Sequence, residues 1–218
     1  MNMNPPPTHP LRPDPLPLRP DPLIVAFTGL AGSGKDASAD HLCDRFGFVR
    51  ASFAESLKTM AAQLLDDANV DYSNLFEHAL KDKPMAALHD VSGRQIMQTL
   101  GDWGRGLHAD WWISILERRL GLDGRPCSAP VHDRIVITDV RMPNEAAWVL
   151  RHHGLLLRLQ RDQAAPVRQH DSEGHVRRLP ASLEIANHGP TLVGLHAQLD
   201  AVMRALGVAE AERVEVWG

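Results

Sequence analysis

The 218-residue sequence contains no apolar run of about 18 residues, the length that a helix needs to cross a bilayer. Its N-terminus lacks a basic start, a following apolar stretch and a small-residue cleavage site, so we expect neither a membrane span nor export and predict a cytoplasmic location. Only two cysteines are present, Cys43 and Cys127, with no histidine or cysteine at metal-ligand spacing. We therefore expect reduced thiols rather than a disulfide framework or a cysteine-bound metal.

The sequence also lacks a basic excess, because 23 Lys and Arg stand against 27 Asp and Glu for a formal net charge of -4. A general nucleic-acid binder normally carries the opposite balance, so we expect no nucleic-acid partner. The 44% apolar and 23% charged residues are ordinary for a globular protein and exclude collagen-like, coiled-coil and wholly disordered chains. The length favours one domain with its own core. Because the net charge is negative, any phosphate that the protein binds must be held by a local cluster of cationic side chains.

Residues 1–22 form a proline-rich arm that precedes the folded part. Nine of the sixteen prolines lie here, and the arm nearly repeats itself, LRPDPLP from Leu11 and LRPDPL from Leu18. Because proline cannot donate a main-chain hydrogen bond, we predict a disordered or polyproline-like arm with no catalytic part. A docking ligand for a proline-recognising domain is the alternative.

From residue 23 onward, strand-like and helix-like pieces alternate. Short apolar runs predict strands at 23–28, 48–52, 134–139, 155–160 and 183–187. Helical patterns run to Phe46, to about Leu65, and over 92–100, 110–120, 144–152 and 191–206. Strands separated by helical crossovers predict an α/β fold, with a parallel sheet covered by helices on both faces. The polar stretch 162–180 is interpreted as a mobile flap over a site, with a plain surface loop as the alternative.

The segment GLAGSGKD follows the first strand directly and opens the first helix. Gly29, four residues, Gly34 and Lys35 have the spacing of a phosphate-binding loop, in which glycines let backbone N–H groups turn inward and the lysine reaches the terminal phosphates. A chance glycine-rich turn is the alternative. Asp36 stands where a Ser or Thr hydroxyl usually binds Mg²⁺. Its carboxylate could hold the ion through water or contact nothing, and Ser38 is the other candidate ligand.

A second polar group follows the strand RIVITD. Asp139 ends this strand, and the carboxyl ends of parallel strands face the ligand crevice, so we expect Asp139 to point at the same crevice as Lys35. Arg141 follows, and Glu145 falls on the first turn of the next helix. An acid there is as readily a helix cap as a ligand.

A third group is the helix 92–100, where Arg94 and Gln98 are four residues apart and share one face. The arginine fork suits phosphate oxygens and the amide suits a nucleobase edge. By residue type alone, however, such a pair is more typical of a solvated face. Trp103, Trp111 and Trp112 are likewise more typical of a core or an interface than of base stacking.

The chain carries four segments in a specific order: GLAGSGKD at 29–36, RQIMQTLG at 94–101, ITDVRMPNE at 137–145, and HDSE at 170–173 with LEIANHG at 183–189. Taken together they resemble the phage-type deoxynucleoside monophosphate kinases, a branch of the P-loop nucleoside monophosphate kinases. The resemblance covers nearly the whole chain after the arm, and aspartate at position 36 is one of its features. It implies a three-layer α/β/α P-loop NTPase domain over 23–218, with substrate-binding helices at 92–120 and the flap at 162–180.

The resemblance also implies the reaction and its residues. The protein would bind ATP and Mg²⁺, with a deoxynucleoside monophosphate as the acceptor. A homodimer is a possible assembly. The implied ATP-binding residues are Gly32, Ser33, Gly34, Lys35, Asp36, Ala37, Asn187 and Gly189. The implied substrate-binding residues are Leu57, Lys58, Arg94, Gln98, Gly101, Asp102, Trp112, Asp139, Arg141 and Glu145. Lys35, Asp139 and Arg161 are the implied catalytic residues, and Ala31, Ala37 and Asp102 depart from the family pattern.

Two alternatives stay open. Dephospho-coenzyme A kinase shares the loop and the Asn-x-Gly turn, but it phosphorylates a ribose hydroxyl and would need Asp139 as a base. A P-loop regulator or NTPase would bind nucleotide without a small acceptor. Such a regulator would have no need of the Arg94, Gln98, Arg141 and Glu145 set, which therefore discriminates between the classes.

Overall fold

The computed structural model describes residues 21–77, 80–124, 132–161, 175–189 and 191–211. The elements are β1 (Leu23–Thr28), α1 (Lys35–Phe46), β2 (Val49–Ala51), α2 (Glu55–Asp67), α3 (Ser73–Phe76), β3 (Pro84–Met85), β4 (Val91–Ser92), α4 (Gly93–Leu107), α5 (Trp111–Leu120), β5 (Arg134–Ile137), α6 (Pro143–Arg151), β6 (Leu155–Gln160), β7 (Leu183–Ala186) and α7 (Val193–Ala205). Nearly all of the predicted arm, residues 1–20, and residues 162–174 of the predicted flap lie outside the described residues. None of the described helices is long and apolar enough to cross a membrane.

Five of the described strands form a sheet in the order β2-β5-β1-β6-β7. Every neighbouring pair is parallel, and β1 lies at the centre with Val25 opposite Val136 on one side and Leu155 on the other. Parallel neighbours need long crossovers, which the helices supply. The sheet and its helices are compatible with a three-layer P-loop NTPase-like fold, so the predicted α/β fold class is confirmed.

Alternate residues of β1 face two different cores, as the pleat of a strand requires. Val25 and Phe27 pack in one cluster with α1 and α7. Ile24 and Ala26 pack in the other with α5 and α6, where Trp148 is fully buried. Because both faces are covered, the strand is a continuous apolar run, and each fully buried large side chain contributes roughly 1.5–3 kcal/mol to stability.

A third cluster lies beside the sheet and joins α2, α3, α4 and the antiparallel pair β3–β4. Its buried members are Ala61, Leu65, Leu75 and Met85. This region contains elements that the sequence patterns did not predict, because a two-residue strand and a four-residue helix show no periodicity. The cluster holds α4 against α2 and α3.

Helix α4 continues to Leu107, seven residues beyond its predicted end at Leu100. Glycines usually weaken a helix, but Gly104 lies where α5 crosses closely, and a Cβ built there would come within 2.6 Å of the Trp112 ring. The Trp112 indole also donates to the main-chain oxygen of Gly101 at 3.1 Å. The glycines therefore permit close helix packing instead of ending the helix.

Candidate active site

The loop between β1 and α1 turns through residues with positive φ, among them Gly29 at 147° and Gly34 at 104°. A Cβ built on Gly29 would lie 2.6 Å from the main-chain oxygen of Leu159, so a side chain has no room there. Lys35 begins α1, and its Nζ donates to the main-chain oxygens of Gly29 and Leu30, both at 2.8 Å. These bonds hold the ammonium group against the loop, at the amino end of a twelve-residue helix.

Three hydroxyl groups are buried at or beside this loop. Thr28, Ser33 and Ser38 are at most 1% exposed, and none of their Oγ atoms has a hydrogen-bond partner within the described part of the chain. Leaving a buried hydroxyl without a partner costs about 1–3 kcal/mol, so native proteins normally satisfy such groups. Oxygen-rich ligands such as phosphate or water fit the polarity of the loop where Ser33 lies.

Asp36, the second residue of α1, has a side chain that is 84% exposed and forms an ion pair with Arg50 of β2. Arg50 also donates to Asp40 at 2.8 Å. No group of three potential metal ligands is present among the residues that the structure describes. Mg²⁺ commonly takes one or two protein oxygens and completes its shell with phosphates and water, and the exposed Asp36 fits that requirement better than the buried Ser38.

Two residues from other elements support the loop. The Asn187 side chain, 4% exposed, donates to the main-chain oxygen of Ser33 at 2.9 Å, and a Cβ built on Gly34 would lie 2.7 Å from its amide nitrogen. Arg161, directly after β6, donates to the main-chain oxygen of Gly32 at 3.2 Å. The structure thus places Asn187 and Arg161 at the predicted loop. The remaining predicted residues here are Ala37, in the first turn of α1, and Gly189, exposed after β7.

A separate cavity of ≈ 230 Å³ opens between α2, α4 and the segment that joins β5 to α6. It brings together nine of the ten predicted substrate-binding residues from four separate parts of the sequence: Leu57, Lys58, Arg94, Gln98, Gly101, Trp112, Asp139, Arg141 and Glu145. Trp112 is 5% exposed and packs in the helix interface, so it serves as both core residue and cavity wall. The structure therefore assembles the residues, while their roles stay predictions.

Asp102 is the exception. Its carboxylate is 66% exposed, lies outside the cavity lining and accepts a hydrogen bond from Arg105 at 2.6 Å. Position 102 faces away because Arg94, Gln98, Gly101 and Arg105 follow each other at steps of four, three and four, which defines one helical face. Asp102 is therefore connected to the cavity lining through its hydrogen bond with Arg105.

Sequence reasoning missed two cations that line the cavity, Lys81 and Arg105. Lys81 lies in a stretch without periodicity, whereas Arg105 could have been found by extending the helical face that starts at Arg94. Among the residues that the structure describes, the cavity is thus lined by five cationic side chains and by the two carboxylates of Asp139 and Glu145. The other three cations are Lys58, Arg94 and Arg141. Burial and the charges of nearby cations lower the pKa of Lys81. Such a concentration of positive charge favours an anionic ligand.

The Asp139 carboxylate connects β5 to the start of α2. It accepts hydrogen bonds from the Ser52 hydroxyl at 2.8 Å and from the main-chain N–H groups of Phe53 and Ala54 at 3.0 and 2.9 Å. These bonds fix the turn that leads into α2 and so the cavity wall that carries Leu57. The contacts give Asp139 a positioning role in this structure.

Glu145 is 8% exposed and forms the other carboxylate of the cavity. One of its oxygens accepts from the main-chain N–H groups of Arg141 and Met142 at 2.7 and 3.0 Å, so the helix-capping alternative is observed. Burial, followed by the charge of Asp139, raises the pKa of Glu145 to about 7 against an opposing effect of the hydrogen bonds. Its charge therefore changes near neutral pH.

Arg94 is held at the cavity by Asp82. Its Nε and Nη2 donate to the two Asp82 oxygens at 2.5 and 3.0 Å, which is the bidentate geometry typical of arginine with a carboxylate. The pair orients the guanidinium group at the start of α4. Asp82 thus fixes the orientation of the Arg94 guanidinium group at the cavity.

Comparison with known proteins gives two distant relatives of viral origin. The chain is 27% identical over 184 residues to a protein of Acanthamoeba polyphaga mimivirus named "Putative deoxynucleotide monophosphate kinase", covering 81% of this chain and 94% of that protein. It is 26% identical over 201 residues to the uncharacterized protein ORF76 of Ictalurid herpesvirus 1 (strain Auburn), covering 86% and 69% of the two chains. No protein-family model matches the chain. The mimivirus match supports a relationship to kinases, and the phage-type branch stays a prediction.

Proposed function

We propose that the protein transfers the γ-phosphoryl group of ATP to the phosphate of a deoxynucleoside monophosphate. The observation that carries this proposal is the pairing of two sites: a phosphate-binding loop after β1 and a five-cation cavity next to the end of β5. β1 and β5 are parallel neighbours, so both sites open at the same edge of the sheet. The similarity to the mimivirus protein named "Putative deoxynucleotide monophosphate kinase" supports a nucleotide kinase.

The donor would bind at the loop. The positive φ of Gly29 and Gly34 and the start of α1 fit a loop whose N–H groups face phosphate oxygens, and Lys35 would exchange its loop carbonyl partners for them. Asp36 would help to hold Mg²⁺, which supplies positive charge to the phosphates when bound. Arg161 would add a second cation beside Gly32.

The acceptor would bind in the cavity. A phosphate monoester is largely a dianion at neutral pH, so phosphoryl transfer needs positioning and charge neutralisation more than a general base. Arg94 and Arg141 would bind this dianion, and Gln98 offers an amide that can both donate to and accept from a nucleobase. Asp139 would act by holding the turn into α2.

A coupled assay with ATP and each deoxynucleoside monophosphate tests the proposal, with ribonucleoside monophosphates and dephospho-coenzyme A as competing acceptors. We expect ADP formation that depends on a deoxynucleoside monophosphate. Equal ATP hydrolysis with and without every acceptor would instead indicate an NTPase or regulator. Turnover of dephospho-coenzyme A alone would favour the alternative that the protein is a dephospho-coenzyme A kinase.

The Arg94→Lys variant tests the placement of the two substrates. It keeps the charge but loses the planar guanidinium group that Asp82 holds in place through Nε and Nη2. Acceptor binding should therefore weaken by roughly 1–3 kcal/mol while ATP affinity hardly changes. The control is Arg151→Lys at the exposed end of α6, outside the cavity. If Arg94→Lys lost ATP binding and kept acceptor binding, the two sites would be assigned the wrong way round.

A further inference from the structure

Lys81 lines the cavity from a turn that lies outside the helices and strands. It is partly buried, and its ammonium group forms no hydrogen bond or ion pair with any residue that the structure describes. Removing part of a cation's surface from water without a partner is unfavourable, so a partly buried, unpaired lysine that lines a cavity favours a ligand that supplies the missing negative charge. Lys83, two residues later, is exposed and does not line the cavity.

The backbone holds Lys81 in this position. Its main-chain oxygen accepts from the N–H of Arg94 at 2.8 Å, and the adjacent Asp82 binds the Arg94 guanidinium through both carboxylate oxygens. The segment is therefore fastened to the first turn of α4 by three hydrogen bonds. Because of this attachment, Lys81 and Arg94 reach the cavity together.

The electrostatic surroundings indicate which part of a ligand Lys81 would meet. Lys58, Arg94 and Arg141 lie close enough to repel its charge, whereas Asp36 attracts it from the phosphate-binding loop. Lys81 is therefore within electrostatic reach of three other cavity cations and of Asp36 at the start of α1. An anion there would relieve the repulsion among four cations at once.

We propose that Lys81 binds the phosphate group of the acceptor nucleotide, and that Asp82 positions Lys81 and Arg94 as one anion-binding unit. The proposal rests on the proposed function for the identity of the nucleotide, but the anion-binding role itself does not. It adds to the predicted substrate residues one that lies outside all four family-like segments. The segment around Lys81 would then be a determinant of acceptor affinity.

Amine labelling read by mass spectrometry tests the binding role without using activity. The full-length protein is acetylated under limiting reagent, alone and with inorganic phosphate, each deoxynucleoside monophosphate, the matching deoxynucleosides, or ATP. We expect phosphate and the monophosphates to slow labelling of Lys81, the deoxynucleosides to leave it unchanged, and Lys83 to label equally throughout. Equal labelling of Lys81 with and without phosphate compounds would overturn the proposal, and so would protection by ATP alone.

Kinetics of matched variants separate binding from folding. Lys81→Met should raise the KM of the acceptor about 10- to 100-fold, the size expected for a lost charge-assisted hydrogen bond, while the KM of ATP changes less than about 3-fold. Lys81→Arg should recover most of the loss, and Lys83→Met should behave as wild type. An unchanged acceptor KM in Lys81→Met, or equal rises in both KM values, would refute the role. If wild-type protein phosphorylated no monophosphate but phosphate still protected Lys81, the proposed function would fail and the anion site would stand.

Discussion

Replacing Glu145 with glutamine should remove a pH dependence from the stability of this protein. Glu145 is 8% exposed, and a single carboxylate oxygen accepts both hydrogen bonds from Arg141 and Met142. The carbonyl oxygen of glutamine can accept the same two bonds, whereas its amide nitrogen cannot ionise. The variant therefore removes the charge and keeps the helix cap.

The expected magnitude follows from the pKa of Glu145, which burial and the Asp139 charge raise from 4.5 to about 7. At about 1.4 kcal/mol per pH unit this difference corresponds to roughly 3 kcal/mol. Between these pH values the folded protein binds more protons than the unfolded chain, so this contribution is present below pH 4.5 and is lost as the pH rises to about 7. Wild type should thus lose stability relative to Glu145→Gln as the pH rises.

Urea denaturation of both proteins between about pH 5 and pH 8 measures the effect. The informative quantity is the difference between the two free energies of unfolding, because other titrations are common to both proteins. Burial lowers the pKa of His196, for example, and this works in the opposite direction at acidic pH. Glu77→Gln, an exposed glutamate outside the cavity, is the matched control. A difference that stays constant within about 0.5 kcal/mol across the range would refute the reasoning.

Three other variants test the loop, the turn into α2 and the helix contact. Lys35→Ala should lower kcat by about 100-fold or more, the size of a lost transition-state donor, with a melting temperature close to wild type; turnover within a few-fold of wild type would contradict the loop assignment. Asp139→Asn should cost about 1–3 kcal/mol in urea denaturation, because an amide nitrogen cannot accept from a main-chain N–H, and it should also raise the acceptor KM. Gly104→Ala should cost about 1–3 kcal/mol because its Cβ would meet the Trp112 ring at 2.6 Å. Gly106→Ala has nothing within 4 Å and should be neutral or stabilising, so equal melting temperatures for these two variants would rule out the contact.

The pattern of neighbouring residues in the sequence determined the central strand and the phosphate-binding loop. A strand buried on both faces must be a continuous apolar run, as at 23–28, and a tight loop before a helix needs glycine where φ is positive, as at Gly29 and Gly34. Both requirements act over neighbouring residues, so the pattern predicts them without knowledge of the rest of the chain. The α/β class follows from the alternation of such pieces.

The composition of the cavity was decided by tertiary structure. Lys81 enters it through hydrogen bonds between its segment and Arg94, and Arg105 enters it because close packing of Gly104 on Trp112 lets α4 continue beyond its predicted end. The Asp139 carboxylate accepts hydrogen bonds from the N–H groups of Phe53 and Ala54, more than eighty residues earlier in the chain. No local sequence pattern encodes such a contact. Charge repulsion and burial depend on such distances in space, so the raised pKa of Glu145 and the unpaired Lys81 become visible only once the chain is folded.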